Sequence, residues 1–474
     1  MTNWKEYKLG DLVTFQRGHD LPRNDMKDGI YPVAGSNSII GFHNEFTTKS
    51  PGITIGRSGN IGNPQLHKTN FWAHNTVLYV KEFKKVDPVF FYYLLKTLDF
   101  SQLNSGSAVP SLNRNFIHPF KVTVPEDLPT QTAIAEILSS LDDKIELNNK
   151  INQELENLAQ TLFKQWFIDF EFPVSLNHDS LDLHDEQDLK INTKEKNQIN
   201  YKNQGNQANP KNQGSDTYRS SGGEMVESEL GEIPKGWELV RLGDKYTVSD
   251  FVANGSFTSL KENVTILETP SFAIFLRNTD SKSNFTNQLR YVDEKTYNFL
   301  SKSRIIGNEI CISNVADVGT VFRPPLYLKK PLTLGNNLVF FRSDHPNYFY
   351  LYFKYFQGQD QIQSITSGSA QLKFNKTDFR NLNLLDIPKA VLSTFEDRIN
   401  DLWELQSNLL SENIELTTLR DTLLPKLISG ELEVNGLNRD FLDLLDEKDF
   451  KKNAKINQGS DNNQGNQDNP KNQG

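Results

Sequence analysis

The residues of this sequence best placed to do chemistry are cations and carboxamides gathered in short loops. Gly56 to Gly62 reads GRSGNIG and presents Arg57, Ser58 and Asn60 directly after the strand-like run GITI. Asn113, Arg114 and Asn115 form a second patch, echoed far downstream by Lys373, Asn375 and Lys376, and Gln16, Arg17 and His19 form a third. Arginine and lysine meet phosphates or guanine edges, asparagine pairs bidentately with adenine, and serine serves either purpose. The chemistry these residue types offer is DNA recognition rather than bond making. For any one of them a solvated loop is the competing reading; their recurrence at matching points favours a surface. The downstream counterpart of the arginine loop, ISNVADVGTV from Ile312, carries Asp317 and no arginine.

A catalytic constellation is not visible. The eight histidines form no i, i+4 pair, and the single cysteine, Cys311, excludes both an intramolecular disulfide and a cysteine-built zinc site. There is no GxxxxGK[ST] phosphate loop, no GxSxG elbow, and no NPP-aromatic motif of the kind amino-methyltransferases use to hold a target amine. GRSGNIG places a glycine every third residue, which is the wrong spacing for a dinucleotide fingerprint.

The elements that must position these loops come twice. WKEYKLGD (Trp4 to Asp11) returns as WELVRLGD (Trp237 to Asp244), and SGSA at Ser105 returns at Ser367, followed by SLNRNF and KFNKTDF. An aromatic helix-like run precedes each, DPVFFYYLLKTL from Asp87 and HPNYFYLYFKYF from His345. A short strand ending in Val124-Pro125 or Ile387-Pro388 follows, and then a long amphipathic helix. Landmarks in one order at similar offsets indicate an internal duplication. The first helix spans Gln131 to Phe167, with apolar residues at Ile134, Leu138, Leu141, Ile145, then Ile151, Leu155, Leu158, Leu162; the apolar spacing slips at Asn148-Asn149. The second spans Phe395 to Leu424, with Leu402, Leu405, Leu409, Leu416, Leu419 and Leu423 in one heptad frame and Glu412 at the position between. Such seams belong to helices that pack on helices.

The expected fold is α+β: two α/β modules in an internal repeat, each followed by a long helix that packs on another helix. The expected domains are a first recognition module over 1–128, a first spacer helix over 129–173, a low-complexity linker over 174–230, a second module over 231–390, a second spacer helix over 391–434, and a tail over 435–474. The linker and tail share NQGNQANPKNQG and NQGNQDNPKNQG, text too polar to offset chain entropy by burial, so both are expected to be disordered. At 474 residues, with 31 Phe and 15 Tyr, the chain can build two cores. The net charge of −9 is unevenly spread: residues 1–125 carry 14 Lys+Arg against 9 Asp+Glu, and residues 237–390 carry 18 against 14. Mildly positive modules between acidic helices suit a DNA reader. No apolar run reaches the length of a membrane span and no signal peptide is visible, so a cytoplasmic location is expected.

The whole pattern resembles the specificity subunits of type I restriction–modification systems. The carriers are the two WxxxxLGD openings, GRSGNIG after a strand, SGSAVPSLNRNFIHPFKVTVP with its echo SGSAQLKFNKTDFRNLNLLDIP, GEIPKGWELV before the second half, TQTAIAEILSSLDDKIELNNKINQELENLAQTLFKQWF, and TLRDTLLPKLISGELEV near the end. The resemblance covers nearly everything but the linker and tail. Ser393-Thr394-Phe395 lacks the glutamine usual at the second helix start. The resemblance implies a non-catalytic subunit whose two target recognition domains each read part of an asymmetric bipartite DNA site. Its two helices would pair as an antiparallel coiled coil that holds the readers apart, and the pseudo-two-fold repeat would dock methyltransferase subunits, two of them, and restriction subunits in the full complex. S-adenosylmethionine, ATP and Mg²⁺ would belong to those partner chains. The competing class is a coiled-coil adaptor that recognises no DNA sequence.

Overall fold

The computed structural model describes residues 3–58, 61–100, 111–177, 217–286 and 288–434. The chain divides into a first unit, 1–147 with 413–474, and a second, 148–412.

In the first unit β1 (Trp4–Lys8) pairs antiparallel with β9 (Lys121–Pro125), tying the opening of the module to its closing strand. A four-stranded antiparallel sheet runs β2 (Val13–Arg17), β8 (Val77–Phe83), β5 (Gly52–Gly56), β6 (Pro64–His67). A smaller sheet runs β4 (Ile39–His43), β3 (Tyr31–Ala34), β7 (Trp72–Ala73), with β3 and β7 parallel.

The second unit repeats the plan. There β12 (Glu238–Arg241) pairs with β21 (Asn383–Asp386), and a four-stranded sheet runs β13 (Val248–Asp250), β20 (Leu338–Arg342), β17 (Glu309–Ser313), β18 (Val321–Phe322). The other sheet runs β15 (Arg290–Val292), β14 (Ala273–Leu276), β19 (Leu332–Leu334), β16 (Arg304–Ile305), again with one parallel pair, β14 and β19. Even the register agrees: Gly56 stands opposite Val77 where β5 meets β8, and Ser313 opposite Leu338 where β17 meets β20.

Each aromatic run is a helix, Pro88–Lys96 and Pro346–Tyr355, opening on a proline whose missing N–H costs nothing at that position. The first is capped by Asp87, whose carboxylate accepts from the N–H groups of Val89 and Phe90. The second has His345 instead, and the Glu396 carboxylate of the long helix accepts from the N–H groups of Asn347 and Tyr348 in its place.

The long helices are Leu128–Phe167 and Lys389–Ser429; the first starts earlier than apolar spacing indicates because Pro129 fits a first helical turn, and the second runs past its expected bounds at both ends. They pair antiparallel within each unit. In the first, Ile134, Ile137 and Leu138 share a core with Leu427 and Ile428, and Arg420 binds Asp142 at 2.6 Å. In the second, Asn148 donates to Glu412 at 3.1 Å, Gln406 to Glu156 at 3.1 Å, and Trp166 lies 5.7 Å from Phe395.

The expected seam is corrected in the second half of the first helix. It does not slip at Asn148: the buried positions are Asn148, Asn152, Glu156, Ala159, Phe163 and Trp166, while Leu158 is 53% exposed. Polar side chains occupy three consecutive seam positions, so apolar periodicity jumps to the neighbouring leucines. Leu405 of the second helix is likewise 44% exposed, with Trp403 buried and Gln406 half-buried beside it.

The expected linker also shrinks. Thr217 to Leu230 is folded: the Tyr218 ring stacks on Phe172 at 5.0 Å, and β10 (Met225–Ser228) forms a hairpin with β11 (Gly231–Pro234). The expected first spacer segment over 129–173 is helical only to Phe167; Phe170 and Phe172 then turn back to pack around Trp237. The repeated Asn/Gln/Gly stretches of linker and tail lie outside the described residues.

Candidate nucleic-acid interface

Two of the three patches of the first unit are held edge to edge. After β5 the chain leaves at Arg57, whose N–H donates to Thr76 and whose carbonyl accepts from the N–H of Leu112 at 2.8 Å. Ser58 forms a single β-bridge with Ser111. The loop closes where Gly62 donates to the Gly56 carbonyl at 2.9 Å, with φ +76° at Gly62 that glycine tolerates best. The segment Asn113 to Asn115 is thereby fixed beside the arginine loop. Asn60 lies outside the described residues.

The third patch joins through two residues that sequence reasoning missed. Arg17 pairs with Asp20 at 2.9 Å, Asn75 donates to the same carboxylate, and Arg57 donates to the Asn75 carbonyl at 3.2 Å. The hydrogen bond from Asn75, then the Arg17 charge, hold the Asp20 carboxyl below the usual aspartate range. The signal that could have found Asn75 is the pair HNT and GNN, one immediately before each of the strands β8 and β20. Behind this edge the His19 ring lies 5.8 Å from Tyr79 and 6.1 Å from Trp72, and Gln16 is half-buried on β2.

The same frame recurs in the second unit with other side chains. Asn314 donates to Asn337 and accepts from Phe374, Val315 bridges Lys373, and Gly319 donates to Ser313 at 3.0 Å with φ +86°. Asp317 sits in that loop, held by Lys282.

The candidate residues differ in how free they are. Asn113 and Asn375 each cap a short helix, Arg114–Ile117 and Lys376–Arg380, by accepting from the N–H of Asn115 and of Asp378. Their acceptor oxygens are therefore committed to the fold. Lys376 pairs with Asp250 at 3.0 Å. Arg114, Asn115 and Lys373 are exposed and hold no ion pair among the described residues, and Phe116 is exposed beside Arg114. The arrangement offers fixed cations and carboxamides on a rigid loop pair, which is what groove or phosphate contact requires. Among the described residues no group of His, Cys, Asp and Glu is placed to hold a metal ion, and no helix is long and apolar enough to cross a membrane.

Two modules of one plan, each followed by a long helix paired with the other, define the class of a duplicated DNA-specificity protein. The profile of the family "Type I restriction modification DNA specificity domain" matches residues 1–157 and again 234–390. The chain belongs to that family. It is 27% identical over 346 residues to the type I restriction enzyme HindI specificity subunit of Haemophilus influenzae, covering 68% of this chain and 71% of that one. It is 27% identical over 358 residues to the MjaIX specificity subunit of Methanocaldococcus jannaschii, covering 73% and 70%. Its fold is similar to the type I restriction-modification S subunit from M. genitalium, with a TM-score of 0.54 over 90% of this chain and 96% of that one, at 16% identity.

Proposed function

We propose that each unit reads one part of an asymmetric, bipartite DNA sequence on behalf of partner chains that carry out the chemistry. The observation that carries this is the repeated loop pair. One backbone frame presents Arg57, Ser58 and Arg114 in the first unit and Val315, Asp317 and Lys373 in the second. An identical frame with different side chains is what two readers of unlike half-sequences need. The relatives named above are specificity subunits of restriction enzymes, which supports the same assignment.

In this reading the chain itself is non-catalytic and holds no cofactor. Adenine methylation with S-adenosylmethionine, and ATP- and Mg²⁺-dependent cleavage, belong to methyltransferase and restriction subunits in the cytoplasm. The paired helices supply docking surfaces for methyltransferase subunits, one per half and two in all. Methylation profiling of the host genome with the gene present and deleted tests the proposal. A bipartite motif with a fixed gap should vanish on deletion; an unchanged methylation pattern, together with DNA binding that shows no sequence preference, would refute it in favour of an adaptor.

A further inference from the structure

The second unit carries an acid in its reading loop, although the phosphate backbone of DNA repels a carboxylate. The loop 313–319 closes by the same bond as the loop 56–62, its last N–H donating to its first carbonyl. Counted along the sequence from those closing residues, Asp317 takes the place of Asn60. Ala316, with φ +68°, turns the chain one residue earlier, and its N–H donates to the Leu372 carbonyl at 2.9 Å. That bond ties the loop to the segment 367–373, which is exposed throughout and closed by two hydrogen bonds between Ser367 and Lys373.

The carboxylate is anchored through one oxygen. Lys282 pairs with Oδ2, and the Asn278 side chain donates to the same atom at 3.4 Å. Oδ1 accepts no hydrogen bond among the described residues, and the side chain is 44% exposed. A carboxylate fixed at one oxygen and open at the other is an oriented acceptor. Lys282 and Lys373, both exposed, the latter bridged to Val315, supply positive charge beside it for the phosphates.

The base edges of the major groove answer such an acceptor differently. Guanine presents the acceptors N7 and O6, and thymine presents O4, all of which repel a carboxylate. Adenine sets the acceptor N7 next to its N6 donor, whereas cytosine offers its N4 donor with no acceptor beside it. We propose that Asp317 reads a cytosine in the half-site of the second unit, with Oδ1 accepting from the exocyclic N4 amine. The inference rests on the DNA-reading function proposed above and adds to it the residue and the base.

The test profiles methylation in hosts that express the full chain, with its partner subunits, as wild type, Asp317→Asn or Lys282→Met. Asp317→Asn should alter one position of one half-site, where the preference for cytosine falls about ten-fold, and leave the other half and the gap unchanged. Lys282→Met breaks the ion pair but keeps the carboxylate, so its motif should still specify that cytosine. A second measurement needs no variant: the purified wild-type complex is titrated with duplexes in which one cytosine at a time lacks its N4 amine. Binding should fall about ten-fold at one cytosine of one half-site. An unchanged motif in Asp317→Asn, the same change in Lys282→Met, or binding indifferent to every N4 amine would overturn the cytosine contact. A wild-type chain that confers no bipartite motif would overturn the reader function itself.

Discussion

Glu396 is the group whose titration most directly tests how the second unit is held together. It is buried on the long helix and caps the aromatic helix Pro346–Tyr355 by accepting from the N–H groups of Asn347 and Tyr348 and from the Asn347 side chain. Burial pushes its carboxyl up from the ordinary 4.5 to about 7, against the opposing pull of those hydrogen bonds and of Arg323. Between those values the folded chain holds a proton that the unfolded chain has lost. Stability on this account falls as pH rises from 4.5 to 7 and stays low above it. At roughly a kcal/mol per pH unit, the carboxyl should cost the fold about 2–3 kcal/mol more at pH 8 than at pH 5. Glu396→Gln cannot ionise; it keeps one acceptor oxygen where the carboxylate meets the Asn347 and Tyr348 N–H groups with different oxygens, a fixed loss that is the same at both pH values. Denaturant unfolding of both proteins at pH 5 and pH 8 isolates the term, because all other titrations cancel in the difference. The wild type should lose that much relative to the variant on going to pH 8. A parallel pH dependence in the two proteins, or a wild type that gains on the variant at pH 8, would refute the burial argument.

Other outcomes follow from the same geometry. Replacing Asn113 or Asn375 by alanine removes a helix cap and should destabilise its unit by about 1 kcal/mol in urea unfolding, whereas Asn115→Ala should have no such effect. Arg114→Ala should weaken binding of the cognate sequence by about 1–3 kcal/mol and relax the preference in the half-site that the first unit reads, measured by anisotropy titration against cognate and altered duplexes. His67, buried against Phe71 with ring centroids 4.0 Å apart and 3.0 Å from Thr54 Oγ1, is held down at about 4 by burial. The unfolded chain therefore binds the extra proton between pH 6.5 and 4, and stability falls as pH drops. His67→Gln should remove about 2 kcal/mol of that loss between pH 7 and pH 5 in unfolding titrations.

Much of this molecule was legible before its fold. The duplication, the strand ending in GITI, the aromatic helices and both long helices follow from local periodicity and from words that recur in order, because these depend on neighbours along the chain. The loop residues Arg57 and Arg114 could be nominated from type alone. Their partnership could not: the hydrogen bond from Leu112 to the Arg57 carbonyl joins positions 55 residues apart. Asn113 and Asn375 looked like free carboxamides, and their capping role depends on where a one-turn helix begins.

The helix seam divides the two kinds of information most clearly. Sequence by itself determined that two long helices exist and that each packs one face on another helix. Which stripe is buried between Asn148 and Trp166 was decided by the tertiary structure. Glu156 is accommodated there because Tyr350, Tyr355, Lys354 and Gln406 converge on it from the reader and from the other helix. Burial is the strongest influence and pushes its carboxyl up, yet those partners together hold it below the ordinary value. A carboxylate at a seam position reads as solvent-facing until its distant donors are known, and no periodicity along one helix can supply them.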